Sequence, residues 1–268
     1  MSDTTAVVTP ARKGKATWTS IGKPIRLSDV LRTGILSVGA LIALVPLVWM
    51  FLGSFKTPSE LAQRPPTFLP ESFGLHNYIE ALSRFNFGQY LMNSVIVTIG
   101  ATILTLVINS MAAYALAKYN FSGKTILFIV TLATIMIPLQ VILLPVYQVV
   151  ASLGLVNTLW GMIIPAAATP TGVFLLRQYM LSIPDELIEA ARMDGSGEFR
   201  TFIRIVLPLC TPALAVVAIF SVMWRWSDFL WPLVVAQSEA VYTLPVALAR
   251  FNAEETVPFN LILAMGVV

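Results

Sequence analysis

Residues 125–176 read TILFIVTLATIMIPLQVILLPVYQVVASLGLVNTLWGMIIPAAATPTGVFLL, and these 52 positions hold no charged side chain. A helix needs roughly 20 mostly apolar residues to cross about 30 Å of hydrocarbon, so the stretch is long enough for two crossings. The apolar run weakens at 151–158, where Gly154, Asn157, Ser152 and Thr158 interrupt it. It therefore reads as two spans, 126–150 and 159–176, with Pro138 and Pro145 kinking the first.

Working outward, 23 uncharged residues between Arg32 and Lys56 make an earlier span. The 33 uncharged residues between Arg84 and Lys118 hold another, best placed at 91–114. Downstream, 205–224 supplies 20 uncharged residues and continues through Phe229 and Leu230. After Pro258, residues 259–268 begin a sixth run. Ten residues of helix cover only about 15 Å, so the expectation is a chain truncated inside its last span. The composition agrees: 268 residues, 57% apolar, 12% charged, mean hydropathy +0.79. A soluble domain carries about 25% charged residues. Disorder, a coiled coil and a conventional soluble enzyme are excluded, and lipid is the main solvent of an all-α, multi-span helical bundle. One Cys (Cys210) and one His (His76) exclude a disulfide scaffold and a His/Cys metal site. A net charge of +3 gives no case for nucleic acid.

Basic residues in short flanks set orientation. The tail 1–29 and the flank before the first span hold Arg12, Lys13, Lys15, Lys23, Arg26 and Arg32; the loops on the same side add Lys118, Lys124, Arg177, Arg192, Arg200 and Arg204. Only Lys56, Arg64, Arg84, Arg225 and Arg250 fall on the other side. The N-terminus is therefore read as cytoplasmic, and a cleaved signal peptide is disfavoured because the first apolar run is too long. Trp49, Trp160, Trp224, Trp226 and Trp231 all fall at the expected outer interface. The domain reading is a cytoplasmic tail, 1–29, and a transmembrane domain, 30–268.

Loop 56–89, with Pro65, Pro66, Pro70 and an amphipathic stretch at 77–85, reads as an ordered outer segment that either touches a partner or lies on the surface as a short connector. Residues 234–258 read as a second outer loop of modest polarity. The inner loop 177–208 differs. It carries nine charged side chains, five acidic and four arginine. Ser182 as a cap, then Pro184, Asp185 and Glu186, mark a helix start, and Gly195 marks its stop. Phe199, Phe202, Ile203 and Val206 then repeat at helical spacing. A flat interfacial helix favours a Lys/Arg-rich polar face, so the mixed charge tilts the loop toward a protein partner. Gly123-Lys124-Thr125 hints at a phosphate loop, but Lys118 stands where the first glycine belongs; it reads as a basic turn.

Glu189-Ala190-Ala191, three residues, Gly195, nine residues, Ile205, one residue and Leu207-Pro208 resemble the EAA signature of ABC importer permeases. Pro184-Asp185-Glu186-Leu187, Asn93-Ser94, Ala112-Ala113-Tyr114-Ala115 and residues 226–233 extend the resemblance to the carbohydrate branch, specifically the smaller permease of the maltose-type and glycerol-phosphate-type systems. Ser227 departs from the Asn common in that branch, and the end at Val268 is a second departure.

The resemblance implies a type I importer permease fold with six spans in a bacterial inner membrane. It also implies a second permease as heterodimer partner, two ABC ATPase subunits that use ATP and Mg, and an extracytoplasmic solute-binding protein. This chain would bind no cofactor or metal and would not hydrolyse ATP. The stretch Pro184, Asp185, Glu186, Glu189, Ala190, Ala191, Asp194 and Gly195 would be the coupling helix: Glu189 anchors it, the alanines permit close packing, and Gly195 allows the turn. For the solute path, a sugar or polyol would meet Arg225, Trp226 and Asp228; an ion pair of Arg225 with Asp228 at the aqueous interface is the competing reading. Asn93 and Asn109 either line the path or join helices. A secondary transporter or channel is the alternative. It calls for paired broken helices or an ionisable relay, and the sequence displays neither.

Overall fold

The computed structural model describes residues 27–253 and 257–267. The basic cluster of residues 12, 13, 15, 23 and 26 lies outside them. The chain divides into two units, Met1–Trp49 and Met50–Val268. The described part of the first is most of α1 (Leu27–Gly53), which is apolar over the 24 residues Val30–Gly53 and carries Pro46 without a break.

In the second unit, α2 (Pro58–Ala62) and α3 (His76–Arg84) precede α4 (Phe87–Lys118), a 32-residue helix of about 48 Å. Helix α4 is the spine. It packs along α7 (Leu159–Ile163), α8 (Pro170–Leu181), α12 (Thr211–Trp226) and α14 (Leu244–Ala253). Its buried face is small and polar, with Asn93, Ser94, Thr98, Ala101, Thr102, Thr105 and Asn109, while Met92, Ile96, Ile99, Ile103 and Val107 point outward. This inside-out pattern suits a helix whose solvent is hydrocarbon. Small residues let backbones approach, and hydroxyls and amides bond across helices.

Three of the expected spans are broken, one of them in the run that Pro138 and Pro145 are expected to kink. The run 126–150 becomes α5 (Lys124–Ile135) and α6 (Leu139–Ser152), inclined by 109°. Pro138 ends the first piece, because the residue before a proline resists helical geometry; Pro145 is accommodated inside α6. The run 159–176 bends by 42° between a short 3-10 turn, Ile164–Ala166, and α8. The run from 205 bends by 79° at Cys210, after α10 (Glu198–Thr201), a π-helical turn (Phe202–Val206) and the short α11 (Leu207–Leu209). Pro208 and Pro212 each remove a helix donor there, which accounts for the wide turn and the break. Broken helices are thus plentiful, and the sequence signalled only the one at Pro138.

The second outer connector is also more ordered than expected. Helix α13 (Leu230–Val235) and α14 bring Val235, Leu244, Val246, Ala247 and Phe251 into one core with Phe87, Tyr90 and Val97 of α4. Trp231 joins that core and donates from Nε1 to the Gly161 carbonyl at 3.1 Å. It therefore does not share the exposed setting of Trp160, Trp224 and Trp226. Helix α15 (Phe259–Val267) closes the chain against α3 and α14.

Candidate coupling site

Helix α9 (Asp185–Met193) forms the first arm of the charged loop. Pro184 occupies its N-cap position, and the Ser182 hydroxyl bonds instead to the Tyr179 carbonyl, so Ser182 finishes α8 rather than capping α9. The C-terminus is a Schellman turn. The Ser196 amide donates to the Ala191 carbonyl at 2.9 Å, the Gly195 amide donates to the Arg192 carbonyl at 3.0 Å, and Gly195 takes φ +77°. The expected glycine turn is therefore present. Open space surrounds Gly195, so only its backbone angle demands glycine.

One face of α9 faces the protein. Ile188 and Ala191 are buried, and Ile188, with Ile183, Met180 and Phe202, extends the core around Tyr114, Leu176 and Val206. The opposite face carries Glu186, Leu187, Glu189, Ala190, Met193 and Asp194 in the open. Of the two alanines, only Ala191 packs inside this chain. Glu189 makes no hydrogen bond or ion pair with the described residues.

One ion pair and one tyrosine hydroxyl fix the elbow to the end of α4, and a second ion pair joins its two arms; none was anticipated from sequence. The buried Lys118 ammonium donates to Asp185 Oδ1 at 2.6 Å and to the Ile183 carbonyl at 2.5 Å. The hydrogen bond and charge of Lys118 hold the Asp185 carboxyl below the usual carboxylate range. Arg192 forks onto Glu198, Nε to Oε1 at 2.8 Å and Nη2 to Oε2 at 3.2 Å, and the Tyr119 hydroxyl bonds the same Oε2. The Arg192 hydrogen bond, followed by that of Tyr119, lowers the Glu198 pKa. Burial, then the Glu198 hydrogen bond, raises that of Tyr119. Both arms of the elbow thus close on Lys118 and Tyr119. Their sequence signal, a charged residue and a tyrosine ending an apolar run, was informative only about topology. Of the second arm's apolar positions, Phe202 and Val206 are buried, but Phe199 and Ile203 line an open apolar groove of about 420 Å³ with Leu106, Met111 and Leu214. At the basic turn, Gly123 has φ +85° and Lys124 Nζ donates to the Tyr119 carbonyl at 2.8 Å, capping α4.

From that end a polar seam runs the length of α4. Asn109 brackets Thr169, with Nδ2 to Oγ1 at 2.6 Å and the Thr169 amide to Oδ1 at 3.1 Å. Thr105 bonds the Ala166 carbonyl at 2.9 Å, and Thr102 and Ser221 hydroxyls meet at 2.9 Å. Asn93 donates to the Ala240 and Tyr242 carbonyls at 2.9 and 3.0 Å, and Ser94 accepts the Leu244 amide at 2.8 Å. Asn93 and Asn109 are both fully enclosed, joining helix to helix or helix to loop.

Arg225 and Asp228 do not form an ion pair among the described residues. Arg225 instead turns into a narrow cleft lined by Thr105, Thr169, Ser221 and Trp224, where Nη2 reaches the Ala166 carbonyl at 3.3 Å. Asp228 faces the first amides of α13. Trp226 lies outside the cleft lining; Trp224, overlooked as a lining residue, is part of it.

Residues 106–268 match the family described as binding-protein-dependent transport system inner membrane component. The arabinooligosaccharides transport system permease protein AraQ of Halalkalibacterium halodurans is 37% identical over 249 residues, covering 90% of this chain and 89% of that protein. The sn-glycerol-3-phosphate transport system permease protein UgpE of Brucella abortus is 30% identical over 250 residues, 90% of this chain and 89% of that protein. Among solved structures, a bacterial ABC transporter involved in the import of the acidic polysaccharide alginate superposes with a TM-score of 0.82 at 24% identity, over 91% of this chain and 94% of the matching one.

Proposed function

The chain belongs to the family of binding-protein-dependent transport system inner membrane components, and on that premise we propose how its parts share the work. It is the membrane permease subunit of an ABC importer, a transporter component rather than an enzyme. It works with an ATPase and a solute-binding protein. The proposed cargo is a sugar or related polyol, a reading supported by the names of the relatives AraQ and UgpE. The proposed assembly pairs this chain with a second permease and two ATPase copies that use ATP and Mg. The N-terminus and the elbow face the cytoplasm in this reading.

Within that assembly, Pro184–Gly195 is the handle that the ATPase grips. The observation carrying this assignment is the division of α9 into two faces: one is locked to α4 through Asp185 and Lys118, while the other leaves Glu186, Glu189 and Asp194 unengaged. A coupling element must be stiff toward its own subunit and available to another. The Schellman turn at Gly195 fixes the angle between the arms. On the solute side, Arg225, Trp226 and Asp228 contribute at the far end of α12, with Asn93 and Asn109 holding the walls of the path in register.

The test is Glu189→Arg and Gly195→Asp in the assembled transporter. Each variant is expected to insert normally, to retain less ATPase subunit on purification, and to lose uptake in proteoliposomes. Wild-type uptake by either one overturns the handle. Broken helices also suit an ATP-independent carrier, but membership in a binding-protein-dependent family removes the need for that alternative.

A further inference from the structure

Helix α3 is folded against the chain by the side that a water-facing helix would leave outside. Its protein-facing residues are Asn77 and Ala81, 5% and 2% exposed. Asn77 Nδ2 donates to the Ser54 and Lys56 carbonyls, both at 2.8 Å, and Asn77 Oδ1 accepts from Asn260 Nδ2 at 2.8 Å. These three bonds fix the rotation of α3. Leu75, Ile79 and Leu82 recur at four and three residues, so they share a stripe, and they are 61%, 64% and 54% exposed. His76, Glu80 and Arg84 recur at four-residue steps on the remaining side, where His76 Nε2 lies 3.4 Å from Glu80 Oε2. The nine-residue helix thus has one side sewn to the protein, one aliphatic side and one polar side.

Its depth is set by its tethers. Only Phe85 and Asn86 separate Arg84 from Phe87, the first residue of the 32-residue α4. The carbonyls that hold Asn77 follow directly after Gly53, the last residue of α1. Both α1 and α4 are long and apolar enough to cross a membrane. Helix α3 is therefore held at the level where the α4 crossing ends, at the end opposite Lys118 and the elbow.

We propose that α3 lies flat in the membrane interface of that far leaflet, with Leu75, Ile79 and Leu82 among the upper acyl chains and His76, Glu80 and Arg84 at headgroup level. The partner of this surface is lipid. A helix at this depth with separate aliphatic and polar sides partitions through the apolar area it buries. Its polar side balances Glu80 with Arg84, whereas the open face of the elbow helix is acidic, with Glu186, Glu189 and Asp194. Its aliphatic stripe also continues the lipid-facing character of α4, whose outward residues are Met92, Ile96 and Ile99. The interfacial helix anchors the segment between α1 and α4 while the bundle moves.

The experiment places single cysteines at Ile79 and Glu80, labels each with bimane, and reconstitutes the chain with its accompanying subunits in phosphatidylethanolamine–phosphatidylglycerol vesicles. Cys210 is buried and stays in place. The expected result is several-fold stronger quenching of the Ile79→Cys label by 5-doxyl lipid than of the Glu80→Cys label, with the order reversed for aqueous iodide. The Ile79 signal should be unchanged when the solute-binding protein is added. Equal access of iodide to both labels overturns the proposal. So does shielding of Ile79 that appears only with the binding protein, which makes the stripe a protein-docking face. Shielding from both quenchers without it overturns the proposal as well, since another subunit then covers the stripe.

Discussion

The elbow and the α4 seam both tie helices together, and they do so with opposite chemistry. The elbow is held by ion pairs at the surface, Lys118 with Asp185 and Arg192 with Glu198, where one or both side chains are largely wetted. The seam is held by neutral hydrogen bonds at enclosed positions: Asn109 with Thr169, Thr105 with Ala166, Thr102 with Ser221. Wetted pairs contribute little net stability but set geometry. Enclosed bonds contribute modestly when made and leave costly orphans when broken. A transporter needs both kinds, a bundle that stays registered and a handle that can be reset.

The sharpest way to break the comparison is at two glycines that are glycine for different reasons. A Cβ on Gly172 would stand 2.2 Å from Asn109 Nδ2 and 2.6 Å from Thr169 Oγ1. The Asn109 amide is bonded at both its atoms and cannot step aside without breaking both bonds to the half-buried Thr169 and leaving its own enclosed amide unsatisfied. Gly172→Ala is expected to destabilise by about 3 kcal/mol, outweighing a helix-propensity gain of about 1 kcal/mol. The thermal midpoint of the purified protein in detergent is the measurement, and an unchanged midpoint would show that the seam is slack.

Gly195→Ala meets no atom within 4 Å, so its penalty is confined to the left-handed backbone. About 1 kcal/mol is expected, a smaller shift in midpoint than at Gly172 but a larger loss of uptake per unit of stability. The two variants should therefore separate on a plot of uptake against midpoint. If they fall on one line, the elbow acts through global stability rather than as a handle.

The sequence made the elbow legible because its signals are local: nine charges in one loop, a helix start at Asp185 and a stop at Gly195. The crossings were legible for the same reason, as runs of residues that no water-facing helix would carry. The seam was not. Thr98, Thr102 and Thr105 look neutral in a hydropathy sum, and the acceptors of Asn93, the carbonyls of Ala240 and Tyr242, lie about 150 positions downstream. No pattern within a single helix records which distant carbonyl it will meet. Arg225 and Asp228 illustrate the same limit, since the sequence offered them as joint solute contacts or as an ion pair while the fold aimed Arg225 at Ala166 and Asp228 at α13. Pro138 was read correctly as a disruption, but the size of the bend depends on what the following helix packs against.

The smallest expected effect is an acid titration that loosens the elbow and leaves the seam intact. Asp185 and Glu198 both have pKa values lowered in the folded chain, by Lys118 and by Arg192 with Tyr119. They bind fewer protons folded than unfolded, so their contribution is fully present above ordinary carboxyl values, about 4, and disappears as pH falls through the lower folded values. Tyr119 stays protonated throughout, since an ordinary phenol titrates at about 10 and burial with the Glu198 hydrogen bond raises this one further. The seam contains no titrating group among its bonded pairs. Hydrogen exchange corrected for intrinsic rate should therefore rise in 185–198 as pH drops below about 4, with α4 residues 98–109 unchanged, and Lys118→Met should reproduce part of that rise at neutral pH. Concerted loosening of both regions would mean that the pins and the seam form one cooperative unit, and the elbow could not then be reset on its own.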